Sequence, residues 1–113
     1  MTATRRLCLA LDLTDDADLI ADYERHHRAV WPEVKAGIRR AGIRDMEIWR
    51  VGDRLVMIIE VIDDFDPAAK AEADAADPRI RQWETLMARF QRPLPQARPS
   101  EKWAAMTRIF KLD

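Results

Sequence analysis

The stretch "IRDMEIWRVGDRLVMIIEVI", residues 43–62, decides the fold. Its two halves are rich in β-branched and large apolar residues, and Gly52-Asp53 between them reads as a tight hairpin turn. Residues 43–51 and 54–62 are therefore expected to be adjacent antiparallel strands. Upstream, Leu19, Ile20, Tyr23, His27, Val30, Val34 and Ile38 recur at three- and four-residue spacings, the pattern of a helix that Gly42 terminates. Thr14 reads as its N-cap, with Asp15, Asp16 and Asp18 in the first turn, where the helix dipole favours negative charge. Pro32 either kinks this helix or opens a second segment as its first residue. Before it, "RLCLALDL" (6–13) places Leu7, Leu9, Leu11 and Leu13 on one face of a strand.

Downstream of the hairpin, "PAAKAEADAADP" (67–78) suits a short polar helix ended by Pro78. "IRQWETLMARF" (80–90) is amphipathic, with Ile80, Trp83, Met87 and Phe90 on one side. Residues 91–102 carry three prolines and read as extended chain without regular structure, and "WAAMTRIFKL" (103–112) reads as a closing strand. The order is β-α-β-β-α-β, an α+β pattern that favours a ferredoxin-like sandwich with both helical layers on one face of an antiparallel sheet. The other face needs a cover. In a chain this small the expected cover is the sheet of a second copy, giving a homodimer built as a dimeric α+β barrel.

A length of 113 residues suits one domain, 1–113, and 48% hydrophobic with 35% charged residues suits a folded soluble protein. Nineteen basic against 20 acidic residues are scattered along the chain, so no basic stripe marks a nucleic-acid partner. No apolar run approaches the ~20 residues of a membrane span, and "MTATRRLCLALDL" reads as a strand and not as a signal peptide. A single cysteine, Cys8, allows no internal disulfide and no cysteine cluster for metal, and the cytoplasm is the expected compartment.

Both histidines, the only tyrosine and one of four tryptophans fall in "YERHHRAVWPEV", residues 23–34. Tyr23 and His27, four residues apart, lie about 40° apart on a helix, with Leu19 and Trp31 in the same row. His27 should point toward the sheet, and His26 should be rotated about 100° toward the edge. An imidazole beside a phenol and an indole suits acid-base work near neutral pH. A core histidine bonded to a carbonyl fits the same position. Trp83 is suited to stack on the C–H face of a sugar and Glu84 to accept from its hydroxyls; core and solvated surface are their plain alternatives. Trp49, Trp103 and the five methionines read as packing. Adjacent His26 and His27 cannot present both rings to one metal from a regular helix, and three glycines make no phosphate loop. Neither a metal nor a cofactor is expected.

The Tyr-x3-His-x3-Trp-Pro-Glu core of that stretch resembles the L-rhamnose mutarotase family, and the similarity continues through "AGIRDMEIW", "DPRIRQWETLM" and "MTRIFKL". The resemblance implies a dimeric ferredoxin-like α+β barrel that interconverts the anomers of a 6-deoxy-L-hexose without metal or cofactor. It places the catalytic histidine on His27 and a substrate-binding tyrosine on Tyr23. A second family tyrosine falls on Met46, and the family's Trp-Trp pair falls on Trp83 and Glu84. These two departures make the sugar L-fucose as readily as L-rhamnose, with a slight lean to L-fucose. His27 is expected to deliver the ring-oxygen proton, leaving Tyr23, a water or Glu84 as the complementary base. The same dimeric fold also serves monooxygenases, some haem-binding relatives and ligand-binding modules without chemistry.

Overall fold

In the computed structural model, which describes residues 3–112, the chain forms β1 (Thr4–Leu13), α1 (Ala17–His27), α2 (Pro32–Arg40), β2 (Ile43–Val51) and β3 (Arg54–Ile62). α3 (Pro67–Ala76), α4 (Pro78–Ala88) and two short strands, β4 (Gln91–Arg92) and β5 (Ala104–Ala105), complete it. The sheet order is β2-β3-β1-β4, with β5 also on the free edge of β1. Every pairing is antiparallel, as the β-α-β-β-α-β order anticipates.

The hairpin forms as read, and the helix before it is two helices. Pro32 has no N–H to continue the ladder and disfavours helical backbone at Trp31, which is extended (ψ 139°) and caps α2. α1 starts later than its sequence suggests. Thr14 donates its N–H to the Phe90 carbonyl at 2.9 Å, so it is still held at the sheet edge. Asp16 is the cap instead, its carboxylate accepting from the N–H groups of Asp18 and Leu19 at 3.0 Å each. α4 likewise begins at Pro78, two residues before the expected start, with Asp77 capping it through the N–H groups of Arg79 and Ile80.

One glycine is required and a second eases a close approach. Gly42, at φ +95°, turns the chain from α2 into β2, and a Cβ there would come within 2.6 Å of Ile62. At Gly37 a Cβ would meet the terminal methyl of Ile80 at 2.7 Å, so any larger residue there requires that side chain to shift where α2 lies against α4.

Cross-strand rows separate the two sheet faces. Leu7, Ile59 and Met46 form one row and Leu9, Met57 and Ile48 the next, all toward the helices. They feed two apolar clusters. The first holds Leu13, Tyr23, Val34, Leu55, Ile80, Trp83, Met87 and Phe90; the second holds Ile43, Ile59, Val61 and Phe65. The opposite face carries Cys8, Ile58 and Glu47, then Ala10, Val56 and Trp49. Trp49, read as core, is 61% exposed there, because it alternates out of the helix-covered face.

The closing strand is a second correction. Only Ala104 and Ala105 pair with β1, followed by one further bond from Met106 N–H to the Cys8 carbonyl. Ile109, Phe110 and Leu112 are exposed, at 95%, 73% and 81%. The apolar pattern of a strand is present, but no neighbour for it lies among the described residues. Residues 91–102 are mostly irregular, as read, except that Gln91 and Arg92 pair with Leu13 and Asp12. Among the described residues no helix is long and apolar enough to cross a membrane.

Candidate active site

Tyr23 and His27 emerge one turn apart on the buried stripe of α1, with ring centroids 4.4 Å from each other. Trp83 reaches His27 from α4, edge-on at 5.7 Å, and Trp31 abuts Trp83 at 5.2 Å. The Arg79 guanidinium lies 3.7 Å over the Trp31 ring, closing the outer side of the aromatic stack. Phe90 packs on Tyr23 at 5.9 Å, and also on His26 at 5.7 Å. The two histidines therefore divide as their helical positions predict: His27 stands among the site aromatics, and His26 leans on Phe90.

His27 Nδ1 lies 2.9 Å from the Tyr23 carbonyl. A carbonyl only accepts, so Nδ1 carries the proton and Nε2 keeps its lone pair. The plain reading of this histidine, bonded to a carbonyl, is thus half of what is found; the ring is only half-buried and its second nitrogen is not used by that bond. Burial lowers the His27 pKa, opposed by the carbonyl bond and assisted by nearby His26. The neutral base is the resting form. Tyr23 is 3% exposed, and burial raises its pKa; a hydrogen bond from Gln91 opposes the rise and the Glu84 charge adds to it. The phenol keeps its proton.

The remaining expected residues stand further out. Glu84, next to buried Trp83, faces solvent and accepts from Lys102 Nζ at 2.9 Å, which brings the proline-rich segment against α4. Met46 packs in the second apolar cluster, while Ile48, one step along β2, joins the first cluster with Tyr23 and Trp83. Among the described residues no three His, Cys, Asp or Glu side chains gather into a group able to hold a metal ion.

Sequence reasoning missed Gln91. Its Nε2 lies 3.2 Å from Tyr23 Oη, across a separation of 68 residues, while its Oε1 is buried without a partner. No spacing rule connects a lone glutamine after a helix to a tyrosine on another helix. Lys102 was missed for the same reason, whereas Trp103, read as packing, does pack against the first cluster.

A family model described as L-rhamnose mutarotase matches residues 6–112. The chain belongs to the L-rhamnose mutarotase family. That family is named for anomer interconversion, the work of an isomerase of the racemase and epimerase type. An L-fucose mutarotase from Xanthomonas campestris pv. campestris is 60% identical over 110 residues, covering 96% of this chain and 88% of that protein. An L-rhamnose mutarotase from Burkholderia cenocepacia is 34% identical over 94 residues, covering 81% of this chain and 85% of that one. Among solved structures, an L-rhamnose mutarotase from Formosa agariphila superposes with a TM-score of 0.69 at 19% identity, covering 96% and 99% of the two chains. Tetracenomycin F2 cyclase from Streptomyces glaucescens superposes at 0.61 and 17% identity, over the same shares of the two chains. The mutarotase fold is thus shared with a polyketide cyclase, and fold alone does not choose the chemistry.

Proposed function

We propose that this protein interconverts the α and β anomers of a 6-deoxy-L-hexose, L-fucose foremost, with His27 as the acid-base group. The observation that carries this reading is the His27 ring itself, held by the Tyr23 carbonyl so that Nε2 is left as a neutral base among aromatics. Nε2 takes the proton of the anomeric hydroxyl as the C1–O5 bond breaks and C1 becomes an aldehyde. O5 takes a proton from water. The aldehyde rotates, and closure from its other face reverses both transfers, with the imidazolium returning its proton to the C1 oxygen. In this reading His27 acts first at the anomeric hydroxyl, whereas the sequence reading gave it the ring-oxygen proton. The one proton of the neutral ring sits on Nδ1 and is held by the Tyr23 carbonyl, while Nε2 can only accept. Glu84, half exposed and bonded to Lys102, is left out of the proton transfers in this reading.

Trp83, 5% exposed and edge-on to His27, backs the site as a buried wall, and Glu84 with Lys102 forms the polar rim. Met46, on the helix side of β2, is assigned to the far apolar wall, where the sugar's methyl group would lie. L-Fucose is preferred because the 60% identical relative carries that name, against 34% for the rhamnose-named one. The functional unit is proposed to be a homodimer, closed across the sheet face that carries Trp49, Val56 and Ile58.

The test is anomer exchange measured by NMR for L-fucose, L-rhamnose and D-galactose. L-Fucose should exchange fastest, and His27→Ala should remove about 10²–10⁴ of the acceleration while His26→Ala removes far less. Equal losses from the two variants, or no acceleration of any sugar, would end this reading.

A further inference from the structure

Gln91 is the polar side chain that the mechanism above leaves unused. It begins β4, where pairing with Leu13 fixes its backbone beside the end of β1, and its amide reaches in to the Tyr23 hydroxyl. One end of the amide is engaged there at 3.2 Å; the other, Oε1, is sealed from solvent with no partner among the described residues. Turning the amide over would only exchange the ends, with Oε1 accepting from the phenol and Nε2 left alone. Either way one end has nothing to bond. A buried amide group without a partner is costly, and folded chains keep few of them. Here it lies beside a phenol whose ring is 4.4 Å from the His27 ring, so the spare capacity is next to the proposed reacting groups.

We propose that Gln91 is a specificity residue whose spare amide end hydrogen-bonds one ring hydroxyl of the bound sugar. The proposal rests on the mutarotase reading for the identity of the ligand, and not on His27 for the chemistry. A hydroxyl is the right complement because it both donates and accepts, so it satisfies whichever end of the amide faces it. L-Fucose and L-rhamnose differ in configuration at C2 and C4. An amide fixed in the sheet therefore meets a hydroxyl in one of the two sugars at such a position and misses it in the other.

Binding, read separately from catalysis, tests this. Affinities of wild type and Gln91→Met for L-fucose and its 2-, 3- and 4-deoxy analogues would be measured by NMR titration. Methionine keeps the length of the side chain and removes the amide. Wild type should bind one deoxy analogue about tenfold to a hundredfold more weakly than L-fucose, and Gln91→Met should bind L-fucose about as weakly as that analogue. For that analogue alone, the two proteins should agree. The intact protein supplies a second measurement, should the variant fail to fold. The chain has three glutamines, at 82, 91 and 96, so selective 15N labelling yields three side-chain amide pairs, and L-fucose should shift the one belonging to half-buried Gln91. A uniform loss across all analogues would make Gln91 a structural support of Tyr23 and overturn the proposal. An unshifted amide would do the same. Sugar binding without anomer exchange would instead sink the mutarotase reading and leave the Gln91 contact standing.

Discussion

The two faces of the sheet are made by the same strands and have opposite fates. Toward the helices, Leu11, Leu13, Leu55 and Val61 are 2% exposed or less, and α1 and α4 add Tyr23, Trp83 and Met87. On the far side, Cys8, Val56 and Ile58 are only half-buried and Trp49 is open. There the segment around Leu94, Ala104 and Met106 lines a hollow of about 450 Å3 without filling it. The difference shows that alternation assigns each residue to a face, whereas burial depends on what lies over that face. One face is completed by this chain and carries the candidate site; the other holds apolar area that folding of a single chain leaves in water.

The largest test of this contrast compares two tryptophans. Trp83→Ala should destabilise folding by about 3–5 kcal/mol in urea, because it empties the junction of α1, α4 and the sheet. Trp49→Ala should change the folding of a single chain by no more than about 0.5 kcal/mol. Similar costs for both would mean that Trp49 is already covered.

Next in size is a charge on the open face. Ile58→Asp should weaken self-association by about ten- to a hundredfold, read by light scattering over a dilution series, with circular dichroism unchanged. A wild type that remains monomeric at micromolar concentration would break the comparison from the other side.

Smaller effects come from protons. The His27 pKa is below its ordinary 6.5 in the folded protein, so in the window from 6.5 down to that lower value the unfolded chain binds more protons. Stability should therefore fall as pH drops through this window and level off below it, and the fall should vanish in His27→Ala. The anomer exchange rate should lose its base over the acid end of the same window. A stability curve identical in wild type and His27→Ala would mean that the ring is not desolvated.

The smallest concerns Asp12, at the edge of the open face, which accepts from Arg54 Nε and Nη2 at 2.8 and 3.1 Å. The Arg54 bond holds its pKa below the usual 3.8, so the contribution should be present above that value and disappear as pH falls through the lower folded one. Half of the Arg54 side chain is exposed, so Asp12→Asn should cost no more than about 1 kcal/mol at neutral pH. Unfolding by urea at pH 7 checks the size.

Short-range rules were enough for everything that depends on neighbouring residues. Periodicity of two and 3.6, a Gly-Asp turn and a proline placed the β-hairpin, the two-sided strands and the shared helical face of Tyr23 and His27, because these follow from backbone geometry within a few residues. Boundaries were less legible: Thr14 is a good cap in isolation and was outcompeted by a hydrogen bond to Phe90, 76 positions away. The terminal segment has a strand's pattern but, among the described residues, no strand partner beyond Met106, and pairing is a property of two strands, never of one. Only the tertiary structure put Gln91 on Tyr23 and Lys102 on Glu84, and set Met46 apart from the Tyr23 cluster. The reason is common to all three. Such contacts are set by how helices and strands pack across long stretches of chain, and no local spacing carries that information.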